Sequence, residues 1–170
     1  MKKAVFKSKI KTIQLITVIL LISFSAQAQV YTDEEIKTKE TAEKFFGYIG
    51  AKDPEKIASM VSEKVDWYIF ESKYMPWTGH RSKREEISVL FKTLFSYFVD
   101  GSEKLEAQSF LLRGNEVAVF GFVERTVKKN GKHFKMPLAI HITVENNLIS
   151  KFSLYEETLI IEKYLNKINI

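Results

Sequence analysis

The chain has 170 residues, 45% of them hydrophobic, no cysteine, and 26 Lys and Arg against 21 Asp and Glu, a net charge of +5. The basic excess is confined to the first 28 residues, which hold five lysines and no acid, so the rest of the chain balances at 21 charges of each sign. That excludes the basic footprint of a nucleic-acid binder, and the absence of cysteine excludes disulfides, thiolate metal ligands and a lipid-modified cysteine.

Lys2, Lys3, Lys7, Lys9 and Lys11 form a positive n-region, residues 13–24 an apolar run, and Ala26-Gln27-Ala28 an A-x-A cleavage site. This pattern predicts a secretory signal peptide over residues 1–28, cleavage after Ala28, and a secreted or periplasmic domain over residues 29–170 with no membrane contact once the signal is removed. The alternative is an uncleaved anchor, for which the run falls short of the ~20 apolar residues that span a bilayer. The mature chain is long enough to bury roughly 68–70% of its unfolded surface, so a core needs no disulfide.

Thr32-Asp33-Glu34-Glu35 reads as a helix start, a capping residue followed by first-turn acids, with Ile36, Ala42, Phe45, Phe46 and Ile49 as its apolar stripe. Asp53-Pro54-Glu55 opens a short second helix, Asp53 as N-cap and Pro54 at the first helical position. Residues 65–70 (VDWYIF), β-branched and aromatic, predict a strand, and residues 71–80 a loop. Ser82 with Glu85 three residues on predicts the capping box of a third helix, whose apolar face runs from Ile87 to Phe98.

Residues 105–112 predict a strand that turns at Arg113-Gly114-Asn115 into a three-strand meander. Its first strand alternates Val117, Val119, Gly121 and Val123 with Ala118, Phe120, Phe122 and Glu124. Asn130-Gly131 predicts a type I′ hairpin turn, because both residues tolerate the positive φ it requires. The return strand, 133–145, puts Phe134, Met136, Leu138, Ile140, Ile142 and Val144 on one face. Pro137 has no N–H to donate, which places it at an edge or a bulge that helps curl the sheet. Asn146-Asn147 is a second turn, residues 148–157 a third strand, and a last helix runs from Thr158 to about Leu165. The fold class is α+β: a cone-shaped roll in which a curved, mostly antiparallel sheet wraps three helices and leaves a pocket at the open end.

Several segments resemble a known family. They are Phe45-Phe46 through Ala51-Lys52-Asp53, Val65-Asp66-Trp67, the run Pro76-Trp77-Thr78-Gly79-His80-Arg81-Ser82-Lys83-Arg84-Glu85, and His141-Ile142-Thr143-Val144 with Leu148-Ile149 and Tyr155-Glu156-Glu157. In order and spacing they are similar to the SnoaL-like branch of the nuclear transport factor 2-like (NTF2-like) superfamily, which includes ketosteroid isomerases, limonene-epoxide hydrolases and polyketide cyclases. The resemblance implies a cone binding a small hydrophobic molecule, cofactor-free acid–base chemistry of isomerase, cyclase or hydrolase type, and a homodimer packed through the outer sheet face. The catalytic pattern departs from it. Phe45 stands where the isomerases carry a tyrosine, and Ile69 and Ile140 where they carry aspartates. Of the hydrolase trio, Arg125 remains, Val127 replaces one aspartate, and Glu157 stands where the last would be. The alternative is a non-catalytic ligand-binding or protein-interaction module that kept the cone and lost the chemistry.

The candidate site residues follow. Glu157 and its neighbour Glu156 end the last strand, where the cone mouth is expected; a carboxylate at an apolar rim acquires a raised pKa and can act as general acid or base. Their alternative is a solvated acid at the start of the terminal helix. Arg125 is expensive to bury unpaired and can fix a substrate oxygen or orient Glu157; otherwise it pairs with Glu124 or Glu157, or is exposed. His141 matches the family's histidine, but alternation places it on the outer or subunit-facing side, where a structural role is the alternative. Asp66 is a candidate base that parity can equally turn to solvent. Trp67, Trp77, Phe45, Phe122, Ile140 and Phe152 are candidates for the cavity wall, with plain core packing as their alternative. The histidines, at 80, 133 and 141, are scattered, so no metal site is expected, and no cofactor motif is present.

Overall fold

The sheet has six strands in the order β2-β1-β6-β5-β4-β3, and the computed structural model describes residues 31–165. The expected signal peptide and its expected cleavage site fall outside the described residues, as do the final five residues. All strand pairs are antiparallel except β1 (Val61–Ile69) with β6 (Leu148–Glu156), which run parallel. The sheet is curved and unclosed. Among the described residues, no helix is long and apolar enough to cross a membrane.

Helix α1 (Asp33–Gly50) starts on the predicted cap: the Glu35 N–H donates to Thr32 Oγ1 at 3.2 Å, and Glu35 Oε2 accepts from the Thr32 N–H at 2.9 Å. The other Glu35 oxygen accepts from the Gly114 N–H, which ties the helix start to the β3–β4 turn. Its buried side is Thr38, Thr41, Ala42 and Phe45, whereas Ile36, assigned to the stripe, is exposed. Helix α2 (Pro54–Ser59) is capped by Asp53, which accepts from the Lys56 N–H.

Four local expectations are corrected. First, β1 begins at Val61, earlier than expected, because its leading residues pair with β6. Second, the expected loop contains a strand, β2 (Gly79–Lys83), which closes a hairpin on β1. Third, helix α3 (Arg84–Ser96) is capped one residue later than expected: Glu86, not Glu85, accepts from the Ser82 and Lys83 N–H groups. Fourth, Asn130-Gly131 is not the type I′ turn. Only Gly131 of that pair has positive φ, while Asn146 and Asn147 both do (φ 52° and 59°), so the tight primed turn is the one joining β5 to β6. Tertiary contacts reshape the first turn: Val127 bridges to Phe98, the Lys128 N–H donates to Tyr97 O, and Asn130 Nδ2 donates to Tyr164 O.

β3 (Lys104–Arg113), β4 (Glu116–Thr126) and β5 (His133–Glu145) continue the sheet to its far edge. β3 bulges between Ala107 and Ser109, and the bulge presses main chain against Gly121. A Cβ on Gly121 would stand 2.1 Å from Glu106 O, so glycine is the residue that fits this close approach. Pro137 lies just beyond the last β6 pairing, Leu138 with Glu156, at the open side of β5; the irregularity between β5 and β6 falls at Thr143/Val144 instead. Alternation directs Val117, Val119, Val123, Met136, Ile140 and Phe152 to the concave side, where the helices bury them. Helix α4 (Thr158–Tyr164) is held to the loop before β2 by the Ser72 hydroxyl on the buried Glu162 carboxylate.

Candidate functional site

The concave side is not filled solid. A cavity of about 390 Å³ remains between α1, α3 and the sheet, within the size range of small-molecule sites. Its walls are mainly apolar and owe their arrangement to strand register. Trp67 and Phe152 are neighbours across the parallel β1–β6 pair and stack with centroids 3.9 Å apart and planes 11° apart. Phe91 of α3 meets Trp67 edge-on at 5.9 Å. The Trp67 indole N–H is buried with no hydrogen-bond partner in the protein. Ile69, Leu138 and Ile140 continue the wall.

The polar part of the cavity is built around Arg125, the last inward residue of β4, which is 7% exposed. Its Nε and Nη2 both lie 2.8 Å from Glu103 Oε1, and its guanidinium carbon lies 5.1 Å from the centre of the Phe98 ring. On β6, Phe152, Leu154 and Glu156 share one face by alternation, so the Glu156 side chain follows Leu154 onto the concave side. That side chain does not line the cavity: it is 1% exposed, its Oε2 is 3.9 Å from Arg125 Nη1, and neither oxygen has a hydrogen-bond partner. Burial pushes the Glu156 carboxyl up from its usual value and the Glu103 charge adds to the rise, while Arg125 opposes both. Lys52 and Asp100 also line the cavity and pair at 3.3 Å.

Of the expected residues, Arg125, Trp67, Ile140 and Phe152 line this cavity. Glu157 does not converge with Arg125: β6 ends one residue earlier, and Glu157 becomes the exposed N-cap position of α4. Its neighbour Glu156 occupies the buried place instead. The partner expected for Arg125, Glu124 or Glu157, is also corrected to Glu103, since Glu124 is engaged by Lys135 at 3.2 Å. Phe45 and Trp77 are core rather than wall, Phe45 in edge contact with Trp67 and Phe152, Trp77 with Tyr97 and Phe98. Phe122 faces the outer side under Lys135 Nζ, 5.1 Å from its ring centre.

His141 is outer-facing and bonds the Glu116 carboxylate, which also accepts from Thr143 Oγ1. Asp66 is exposed on the same outer face, 3.0 Å from His80 Nε2 and 3.3 Å from Lys151 Nζ; the His80 hydrogen bond holds its carboxyl below the usual value. Neither lines the cavity. Among the described residues, no group of three or more His, Asp or Glu side chains is placed to hold a metal. The residue that sequence reasoning missed is Glu103. It precedes β3 with no motif around it, and its role depends on a strand pairing that brings Lys104 opposite Glu124.

No family model matches the chain, and no curated protein matches it. Solved structures do. An NTF2-like protein from Burkholderia xenovorans LB400 superposes with a TM-score of 0.62 at 20% identity, over 79% of this chain and 98% of its own. A protein described as a SnoaL-like polyketide cyclase, from Jannaschia sp. CCS1, gives 0.69 at 12% identity, over 84% and 100%. The fold is NTF2-like. A protein with a ketosteroid isomerase-like fold from Catenulispora acidiphila DSM 44928, in complex with trimethylamine, gives 0.58 at 12% identity over 68% and 84%. At these identities the likeness carries the architecture and not the chemistry.

Proposed function

We propose that this protein is exported, loses residues 1–28, and binds a small, largely apolar molecule in the NTF2-like cone. The observation that carries this reading is the cavity of about 390 Å³ with stacked aromatic walls and a buried arginine–carboxylate group. An engineered apolar cavity of about 150 Å³ takes up benzene, so this one has room for a ligand of two or three rings. The trimethylamine bound by the Catenulispora protein supports a ligand-holding use of the fold. Thermal-shift measurements on the chain beginning at Gln29, against a panel of small cyclic and bicyclic compounds, test it. Compounds that bind raise the unfolding midpoint, and Ile140→Trp, which fills the cavity, removes the shift. A panel without any stabilising compound sinks the reading.

Acid–base catalysis is the second reading, favoured by the desolvated Glu156 carboxyl beside Arg125. It runs through Glu156 rather than Glu157. Turnover of a bound compound that Glu156→Gln abolishes and Glu157→Gln leaves unchanged supports it; turnover equally sensitive to both does not. A homodimer through the outer sheet face is part of the proposal. Phe70, Tyr155, Phe120 and Leu111 are 52%, 51%, 47% and 57% exposed, and register aligns Tyr155 with Ala139 and Ala139 with Phe120. Sedimentation equilibrium of wild type against Phe120→Lys checks the dimer, and intact mass of the exported protein checks cleavage after Ala28.

A further inference from the structure

We infer that the cavity selects an uncharged ligand: two ion pairs on its wall, Lys52–Asp100 and Arg125–Glu103, each cancel internally and leave no counter-charge for a guest of either sign. This rests on the ligand-binding reading above and fixes the charge class of the molecule held.

Among the described residues, Lys52, Asp100, Glu103 and Arg125 are the charged side chains that line the cavity, and the other lining side chains are apolar. Lys52 Nζ stands 3.3 Å from Asp100 Oδ1, and Arg125 Nε and Nη2 each stand 2.8 Å from Glu103 Oε1. Two cations and two anions are therefore matched one to one. Glu156 adds nothing to the wall, because both its oxygens are closed off from the cavity surface.

Both acids come from one turn. Asp100-Gly101-Ser102-Glu103 leads into β3 and is pinned to the end of β4: the Val99 N–H donates to Thr126 O at 2.9 Å, the Thr126 N–H to Ser102 Oγ at 3.1 Å, and the Ser102 hydroxyl to Val99 O at 2.7 Å. Gly101 takes a φ of 76°, a left-handed value that costs glycine no steric strain. The two cations arrive from elsewhere, Lys52 from the turn after α1 and Arg125 from β4. The partners lie 48 and 22 residues apart in the chain, so each pair is a product of the fold and not of neighbouring sequence.

An ion entering this cavity leaves water and finds no free opposite charge. At the opening, where Asp100 is 85% exposed, a carboxylate could replace it on Lys52, but that exchanges one solvent-screened pair for another and gains little. Deeper in, taking Arg125 from Glu103 strands a largely buried acid, and an ammonium that takes Glu103 strands Arg125 in the same way. An ion that displaces neither partner lies unpaired among apolar walls, where an ionised group is costly. A neutral molecule meets none of these obstacles, and Trp67, Phe91 and Phe152 gain contact with its apolar body.

Calorimetry at pH 7 on the chain from Gln29 compares naphthylmethanol, naphthylmethylamine and naphthoate, which share one ring system and differ in the charge of the end group. The alcohol is expected to bind at least about tenfold more tightly than either ion. Two variants then remove one acid each. Asp100→Asn frees Lys52 and Glu103→Gln frees Arg125, and each should improve naphthoate binding by about tenfold while naphthylmethylamine stays weak. Wild-type protein that binds either ion as tightly as the alcohol overturns the inference, and so does naphthoate binding that neither variant improves. In both of those cases alcohol binding keeps the pocket reading in place, and only this inference falls; if none of the three probes binds, both fall. The wild-type ranking needs no variant, and the exposed Asp100 can be changed without unsettling the core should Glu103→Gln fold poorly.

Discussion

The two faces of this one sheet treat charge in opposite ways. On the outer face, Asp66 sits between His80 and Lys151, Glu116 between His141 and Thr143, and Lys135 between Glu106 and Glu124. Each group has partners, and water stands by for any that is lost. On the inner face, Arg125 and Glu103 are closed off together and Glu156 is buried with neither oxygen bonded. The outer pairs are more numerous and tighter in distance than Arg125–Glu156. They are still the weaker candidates for function, because an exposed pair contributes about 0–1 kcal/mol and is screened by salt, while a buried group has no solvent to fall back upon.

Substitutions can break this contrast, beginning with the largest. Arg125→Met keeps the volume but removes the cation from Glu103 and Glu156. It should destabilise the fold by about 3–5 kcal/mol, measured by urea unfolding near neutral pH. A loss below about 1 kcal/mol would mean that water reaches the site and the two faces are not so different.

Gly121→Ala strikes the curl that separates the faces. Its Cβ would stand 2.1 Å from Glu106 O, and a clash with main chain should cost about 3 kcal/mol. Full tolerance of alanine would show that the β3 bulge is not pinned there.

Glu156→Gln sharpens the contrast through pH. Burial raises the folded-state pKa of Glu156, so between the ordinary glutamate value and the folded value the native state holds a proton that the unfolded chain has released. Stability from this group is therefore present at low pH and falls as pH rises through that window, with a negative slope. The glutamine variant should lose that slope and be at least as stable as wild type at pH 8. A wild-type profile without this component would mean that Glu156 is better solvated than its burial indicates. The smallest effect belongs to the outer face: Asp66→Asn should change stability by no more than about 1 kcal/mol, and less in high salt. A larger change would erase the distinction.

Much of the scaffold was legible in the chain. Thr32 and Asp53 cap their helices because a side-chain oxygen beside free N–H groups is a local arrangement, complete within four residues. Alternation separated Ile140 from His141 correctly, because a strand's two faces follow from its own geometry. The signals that failed were those in which distant chain competed with local preference. Asn130-Gly131 has the composition of a primed turn, yet Tyr97, Phe98 and Tyr164 take its polar groups and widen it. Ser82 has the composition of a cap, yet β2 continues through Lys83, which pairs with Lys64 of β1, and the helix is capped at Lys83.

The sequence by itself determined the elements other than β2, their order, and the two-sidedness of the strands, since these rest on periodicity and capping within short windows; β2 exists only by pairing with β1. Only the tertiary structure decided which carboxylate is buried. Where β6 stops, how it registers with β1 and β5, and which acid the β3–β4 pairing brings to Arg125 are long-range matters. A shift of one residue along a strand exchanges inside for outside. That single step moved the buried acid from Glu157 to Glu156.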